Sequence, residues 1–187
     1  MVMNILPGDV LVAPPSMEDP RFRETVILVA NHTPQNSAGF VLNDPGPLSI
    51  NDVYWEVGLA ETDNLPLPIY RGGPVAPGSI FMLHESEWHD RNTMYINAQF
   101  SATSSLEMFQ LLLEGAGPRS ERIISGMASW GPGQLEGEIR GEYPWHSSHS
   151  WLRLCQPGRG WLLEQPVETL WDECVECVSR ETVSEWL

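Results

Sequence analysis

Short β-branched and leucine-rich runs, separated by Pro and Gly, mark the first quarter of the chain as buried strands closed by turns. The pattern predicts strands over residues 9–13, 25–30 and 38–42. Between the first two, Pro14-Pro15-Ser16-Met17-Glu18-Asp19-Pro20 fixes a bend. Asp19 is placed there to cap a helical turn, with Pro20 at the first position, where a missing amide hydrogen costs nothing. Asn43-Asp44-Pro45-Gly46-Pro47 is a turn signal that closes the third strand. Ser49 then opens a helix: Asp52 stands three residues on, and Ile50, Val53, Tyr54 and Val57 share one apolar face before Gly58 ends it.

After a Pro-rich connection over 65–68, Ile69-Tyr70-Arg71 leads into Gly72-Gly73-Pro74, and 79–84 has the pattern of another strand. Ser104-Ser105-Leu106-Glu107 is a capping-box sequence that opens a helix to about 114. Small residues within 122–130 predict a tightly packed central strand, followed by Gly131-Pro132-Gly133, a short helix over 134–140 and a strand over 151–155. Past Pro166, Val167, Leu170, Trp171, Cys174 and Val178 make one helical stripe, with Glu168, Asp172, Glu173 and Glu176 off it. Strands come in clusters with helices between only some of them. The predicted class is therefore α+β: a mixed, largely antiparallel bent sheet with several short helices packed around it. A chain of 187 residues is expected to form one domain over 1–187, with an amphipathic C-terminal helix from about 166.

Composition narrows the chemistry. All ten basic residues are Arg, so Schiff-base, Walker-type and kinase-type lysine chemistry is excluded. A formal charge of −15 repels polyanions and disfavours nucleic acid and anionic membrane surfaces as partners. A DNA reader of this composition would have to gather its few arginines on one face, and the only local pairs are Arg21 with Arg23 and Arg119 with Arg122. No basic residue precedes Arg21, and Pro7, Gly8 and Asp9 interrupt the first apolar run too early for a signal peptide. The expected location is cytoplasmic. Three cysteines, Cys155, Cys174 and Cys177, are an odd number and suit reduced thiols.

Candidate chemistry is sparse. Ser129 lies near a strand-to-helix junction, but Met127 and Ala128 precede it, which is the wrong spacing for a nucleophile elbow. Cys174-Val175-Glu176-Cys177 has a metal or redox spacing, yet no second pair supplies further ligands unless Cys155 joins it with His146 or His149. Buried thiols and no metal or cofactor are the expectation. Two glycine-edged loops are the candidate ligand or partner sites: Arg71, Gly72 and Gly73 in one, Trp130, Gly131, Gln134 and Glu136 in the other. Each could bare backbone amides to a small anion. The alternative is that the glycines only permit positive φ or close backbone approach.

Taken in order, Gly8-Asp9-Val10-Leu11-Val12-Ala13-Pro14, Asp19-Pro20-Arg21-Phe22, Ala38-Gly39-Phe40-Val41-Leu42-Asn43, Gly72-Gly73-Pro74-Val75, Phe81-Met82-Leu83-His84 and Trp130-Gly131-Pro132-Gly133-Gln134-Leu135-Glu136-Gly137-Glu138-Ile139 resemble the YqgE/AlgH family of small bacterial proteins. The resemblance implies an α+β fold in a bacterial or phage-type cytoplasmic protein. It implies no established reaction and no catalytic residues. One family name derives from a proposed role in transcriptional control of alginate synthesis. The leading expectation is a non-enzymatic protein, regulatory in role, whose loops bind a protein partner or small ligand. The alternatives are a transcriptional regulator touching DNA through Arg21, Arg23, Arg119 and Arg122, and a hydrolase built on Ser129, Cys177 or His84.

Overall fold

The computed structural model describes residues 4–59, 67–119, 121–142, 144 and 150–184. Strands β1 (Val10–Val12), β2 (Val26–His32) and β3 (Ser37–Val41) coincide with the first three apolar runs and pair antiparallel in sequence order. β4 (Pro45–Ser49) and β5 (Pro68–Arg71) flank helix α1 (Ile50–Val57) in sequence and pair antiparallel. β6 (Val75–Glu85), β7 (Thr93–Tyr95) and β8 (Phe100–Thr103) form the far end of the sheet. Then come α2 (Leu106–Leu113), β9 (Glu121–Trp130), α3 (Gln134–Arg140), β10 (Leu152–Leu154), α4 (Arg159–Glu164) and α5 (Val167–Ser184). The order across the sheet is β10-β1-β2-β3-β9-β6-β8-β7, with β5 also beside β9 and β4 outside β5. Every pairing is antiparallel except β5 with β9, so the fold is α+β with a mixed, largely antiparallel sheet.

β9 is the strand on which the rest is assembled. Its first half pairs with β5 and its second half with β3, while β6 runs along the other side. Gly126 stands between the halves at φ +75°, and a Cβ there would lie 2.7 Å from the Gly73 carbonyl. Ile124 and Met127 pack against the same cluster although strict alternation would put them on opposite faces. The left-handed glycine supplies the irregularity that resets the alternation.

Both faces are covered, which is why β1 and most of β2 are buried at successive positions. One face meets Leu162 of α4 and Leu170 and Cys174 of α5. Leu135 of α3 with Trp130 and Trp151 covers Leu11, Ile27 and Val29. Ile50 and Tyr54 of α1, with Met108, Phe109 and Leu112 of α2, cover Ile69, Met82 and Ile123. Each such Leu or Ile removed from water contributes about 1.5–3 kcal/mol, so it is tertiary burial that holds these short helices, which would be marginal alone. No helix among the described residues is long and apolar enough to cross a membrane.

The structure departs from the sequence pattern in several places. The chain bends at Leu42 and Asn43, and after Asp44 Pro45–Ser49 continues as β4, an edge strand on which proline is tolerated because it need not donate to a neighbour. Of the Pro-rich connection, residues 65 and 66 lie outside the described residues and Pro68 begins β5. The strand expected over 79–84 begins at Val75 and bulges before Ile80. The N-cap of α2 is Ser105, whose hydroxyl accepts the Met108 amide at 3.1 Å. Ser104 instead donates to the Ile80 carbonyl, and Glu107 faces Arg91, so no capping box forms there. At α1 Asp52 accepts the Ser49 amide at 2.6 Å, and the Ser49 contacts hold its carboxyl below the usual range.

Candidate functional site

The first glycine-edged loop borders a groove of about 750 Å³. Its walls come from four places in the chain: the turn over 20–25, Asn43 and Asp44, the segment 71–74, and the first turns of α5. Asp19 caps the turn as expected, its carboxylate accepting the Arg21 amide at 2.9 Å and gripping the guanidinium at 2.6 Å. Arg71 is held to Asp44 by two hydrogen bonds, of 2.7 and 3.0 Å. These bonds raise both arginine pKa values. Glu24 adopts φ +55°, and Asn43 clamps that conformation by donating to the Glu24 carbonyl and accepting from the Val26 amide. Such strain in a non-glycine residue persists only where the surroundings fix it. Trp171 forms an apolar wall, its indole N–H donating to the Ala13 carbonyl at 2.8 Å.

Four charged side chains around this groove make no hydrogen bond or ion pair among the described residues: Arg23, Glu24, Glu168 and Asp172. Charge of both signs is therefore available across it. Gly72 and Gly73 contribute differently from the anion-cradle expectation. The Gly72 amide already donates to the Ser125 carbonyl at 2.8 Å, and its carbonyl accepts from Val41. A Cβ on Gly73 would lie 2.3 Å from the Ala128 nitrogen. Both glycines serve close backbone approach to β9.

The second loop closes on itself. Trp130 and Trp151 both donate their indole N–H to Glu138 Oε2, at 2.9 and 2.8 Å, and Gln134 donates to Oε1 at 2.8 Å. The Gly131 amide donates to Gln134 Oε1 at 3.0 Å, so that amide is already taken and is not offered to an anion. Glu136 lies 3.6 Å from His32, whose other ring nitrogen is 2.8 Å from the Ser37 hydroxyl. Sequence reasoning missed Glu138, since an acidic residue on a short helix reads as solvated surface. The signal was in the indoles: a buried Trp N–H needs an acceptor.

The other candidates stand apart. Arg21 and Arg23 are exposed at the groove, Arg119 is exposed near Glu85, and Arg122 is interior, so the four arginines make no single basic face. Arg122 stands two residues before Ile124 on β9, on the same buried face. Ser129 is exposed and makes no side-chain hydrogen bond among the described residues. His84 is fully buried, with Nδ1 2.7 Å from the Glu85 carbonyl and Nε2 2.9 Å from the Thr103 hydroxyl, and burial pulls its pKa down. Burial pushes the Cys174 thiol up to about 12, while Cys177 is half-buried at the edge of the stripe. His146 and His149 lie outside the described residues. Among those described, no group of three His, Cys, Asp or Glu could hold a metal ion.

A family model described as AlgH-like (DUF179) matches residues 10–182. A UPF0301 protein of Paracoccus denitrificans is 36% identical over 148 residues, which are 76% of this chain and 77% of that one. A UPF0301 protein of Rhizobium etli is 29% identical over 176 residues, 90% and 84% of the two chains. The solution structure of the AlgH protein from Pseudomonas aeruginosa superposes with a TM-score of 0.75 at 27% identity, covering 94% of this chain and 92% of that one. A crystal structure from Corynebacterium diphtheriae, at TM-score 0.61 and 23% identity over 90% and 91%, shares the fold.

Proposed function

This chain belongs to the AlgH-like family, and from that premise we propose that it is a non-enzymatic, cytoplasmic bacterial binding protein whose Arg-edged groove takes a small ligand or peptide end carrying both charges. The observation that carries the reading is the set of charges of both signs around one groove that have no partner among the described residues: Arg23 from the turn, Glu168 and Asp172 from α5. An anion alone would meet more carboxylates than free arginines there. A cation alone would leave Arg23 unanswered. A ligand with a carboxylate and an ammonium answers both walls, and Trp171 supplies the apolar contact between them. The non-enzymatic part is supported by Ser129 making no side-chain hydrogen bond to a base among the described residues and by the doubly occupied ring of His84. Any regulatory role, on this reading, runs through the bound ligand or partner and not through DNA.

Saturation-transfer NMR of the full chain with free amino acids and dipeptides, against acetate and methylamine as single-charge controls, tests the proposal. The expected result is binding by the two-charge compounds, weakened in Arg23→Ala and in Asp172→Ala. Equal binding of the controls, no binding by any compound, or chemical conversion of a bound one would overturn it.

A further inference from the structure

Arg122 is 6% exposed, and its side chain lies on the sheet face that α4 and α5 cover. Nη1 donates to the Leu42 carbonyl at 2.8 Å and Nη2 to the Leu163 carbonyl at 3.3 Å. The guanidinium carbon stands 5.2 Å from the centre of the Tyr70 ring. A guanidinium has five N–H donors and stays charged in proteins. Among the described residues Arg122 makes no other side-chain hydrogen bond and no ion pair. Arg153 shows the usual arrangement for a largely buried arginine: Asp9 neutralises it at 2.7 Å. A buried charge is ordinarily paired, because desolvation of a lone one is expensive. Arg122 has two carbonyls and a ring face where a carboxylate would be expected.

The same side chain borders a cavity of about 330 Å³ between β5, β9 and the connection from α4 to α5. The other walls mix apolar side chains, Leu67, Pro68, Ile123, Leu163 and Pro166 with the Tyr70 ring, with the polar Gln165, Glu121 and Glu168. That volume stands at the lower end for ligand cavities, about 300–1,000 Å³, whose linings combine apolar side chains with a small number of placed polar or charged groups. We propose that this cavity is a binding site for a small monocarboxylate with an apolar body, whose carboxylate is the missing counter-ion of Arg122. The remaining N–H groups of the guanidinium suit two parallel hydrogen bonds to one carboxylate. A dianion such as phosphate fits less well, since Glu121 and Glu168 also border the cavity and a single guanidinium opposes them. The apolar walls select the body of the ligand, and its length is limited by the volume. Val167 and Glu168 of α5 border both this cavity and the groove, but Arg23 borders only the groove, so the two readings can fail separately.

Calorimetric titration of the full chain with benzoate, joined to amide NMR shifts, tests the site, with benzyl alcohol as the neutral isostere and inorganic phosphate as the dianion. Benzoate is expected to saturate one site and to move the amides of 67–70, 121–123 and 163–167. Benzyl alcohol and phosphate should bind at least about tenfold more weakly, the scale of a lost charge-assisted contact. Arg122→Met keeps a similar length without the charge and should weaken benzoate about ten- to hundredfold. Gln165→Trp fills the cavity and leaves Arg122 in place, so it decides the matter if Arg122→Met does not fold; it should abolish binding. Arg23→Ala should leave benzoate affinity unchanged. No saturable benzoate binding to the unaltered chain, equal binding of benzyl alcohol or phosphate, or unchanged affinity in either folded variant overturns the proposal.

Discussion

The segments after β5 and after β9 share a sequence vocabulary, glycines beside a large polar-tipped residue, and the fold uses them in opposite ways. Around Trp130, donors and acceptors answer one another: two indoles and an amide converge on Glu138, and Gln134 covers the Gly131 amide. Around Arg71, the glycines disappear into β9 while Arg23, Glu168 and Asp172 stay unpaired among the described residues across an open groove. The difference teaches that a glycine-rich loop does not by itself mark a site. What distinguishes the two is whether the polar groups beside it already have partners.

The largest effect is expected where the closure is tightest. Glu138→Ala leaves two buried indole N–H groups without their acceptor, and at about 1–3 kcal/mol for each orphaned donor the loss should be about 4 kcal/mol. For a chain of this size that is a fall in melting temperature of about 10 °C. Glu138→Gln retains an oxygen and should cost roughly half as much. Thermal melts of both variants check this, and a loss under about 1 kcal/mol for Glu138→Ala would show that the cluster is not closed.

A second test crosses the comparison, because the glycine at the open groove is the less replaceable one. Gly73→Ala puts a Cβ 2.3 Å from the Ala128 nitrogen at φ +145°, so the two backbones must separate. Overpacking of that kind costs about 2–3 kcal/mol. Gly133, in the closed loop, has φ +68° and nothing within 4 Å of an added Cβ. Gly133→Ala should cost only about 1 kcal/mol, for its backbone conformation. Denaturant melts compare the pair, and the reverse order would mean that Gly73 does not hold β5 and β9 together.

The parts of this arrangement legible in the sequence were those fixed by local pattern. β1, β2, β3 and β9 stood out as apolar runs between turn residues, and the stripe of α5 at helical spacing. β4 did not, because Pro45-Gly46-Pro47 has no strand propensity and is extended only by pairing with β5. β7 and β8 are three and four residues long, and α4 is six, too short to show a period. Arg71, Arg21 and Arg23 were visible as residues. Their meeting with Glu168 and Asp172 was not, since it depends on the docking of α5 about 100–150 residues away along the chain.

His84 extends the comparison to a third polar cluster, closed and titratable. Burial holds its pKa below the ordinary 6.5, so the unfolded chain takes up a proton that the folded chain refuses. The contribution is complete above pH 6.5 and is lost as the pH falls from there toward the folded value, where the unfolded state binds more protons. Its slope is at most about 1.4 kcal/mol per pH unit for one proton. Urea melts at a series of pH values for the unaltered chain and His84→Gln should differ in slope over that window. Parallel curves would mean that the folded ring takes its proton as freely as the unfolded one.

The smallest effect on stability is expected at the open groove, and that smallness is the informative result. Arg23 is exposed and has no protein partner among the described residues, so Arg23→Ala removes no folded-state hydrogen bond or ion pair. The change in unfolding free energy should be within about 0.5 kcal/mol of zero. Asp172, exposed on α5 and likewise unpaired, should behave the same way. A residue that stabilises nothing in the free protein is available to a ligand, and its removal can then alter binding without altering the fold. Melts of the two variants without ligand give the comparison with Glu138→Ala directly. A loss above about 1 kcal/mol for Arg23→Ala would place that side chain in a folded-state contact and remove the contrast between the open groove and the closed cluster.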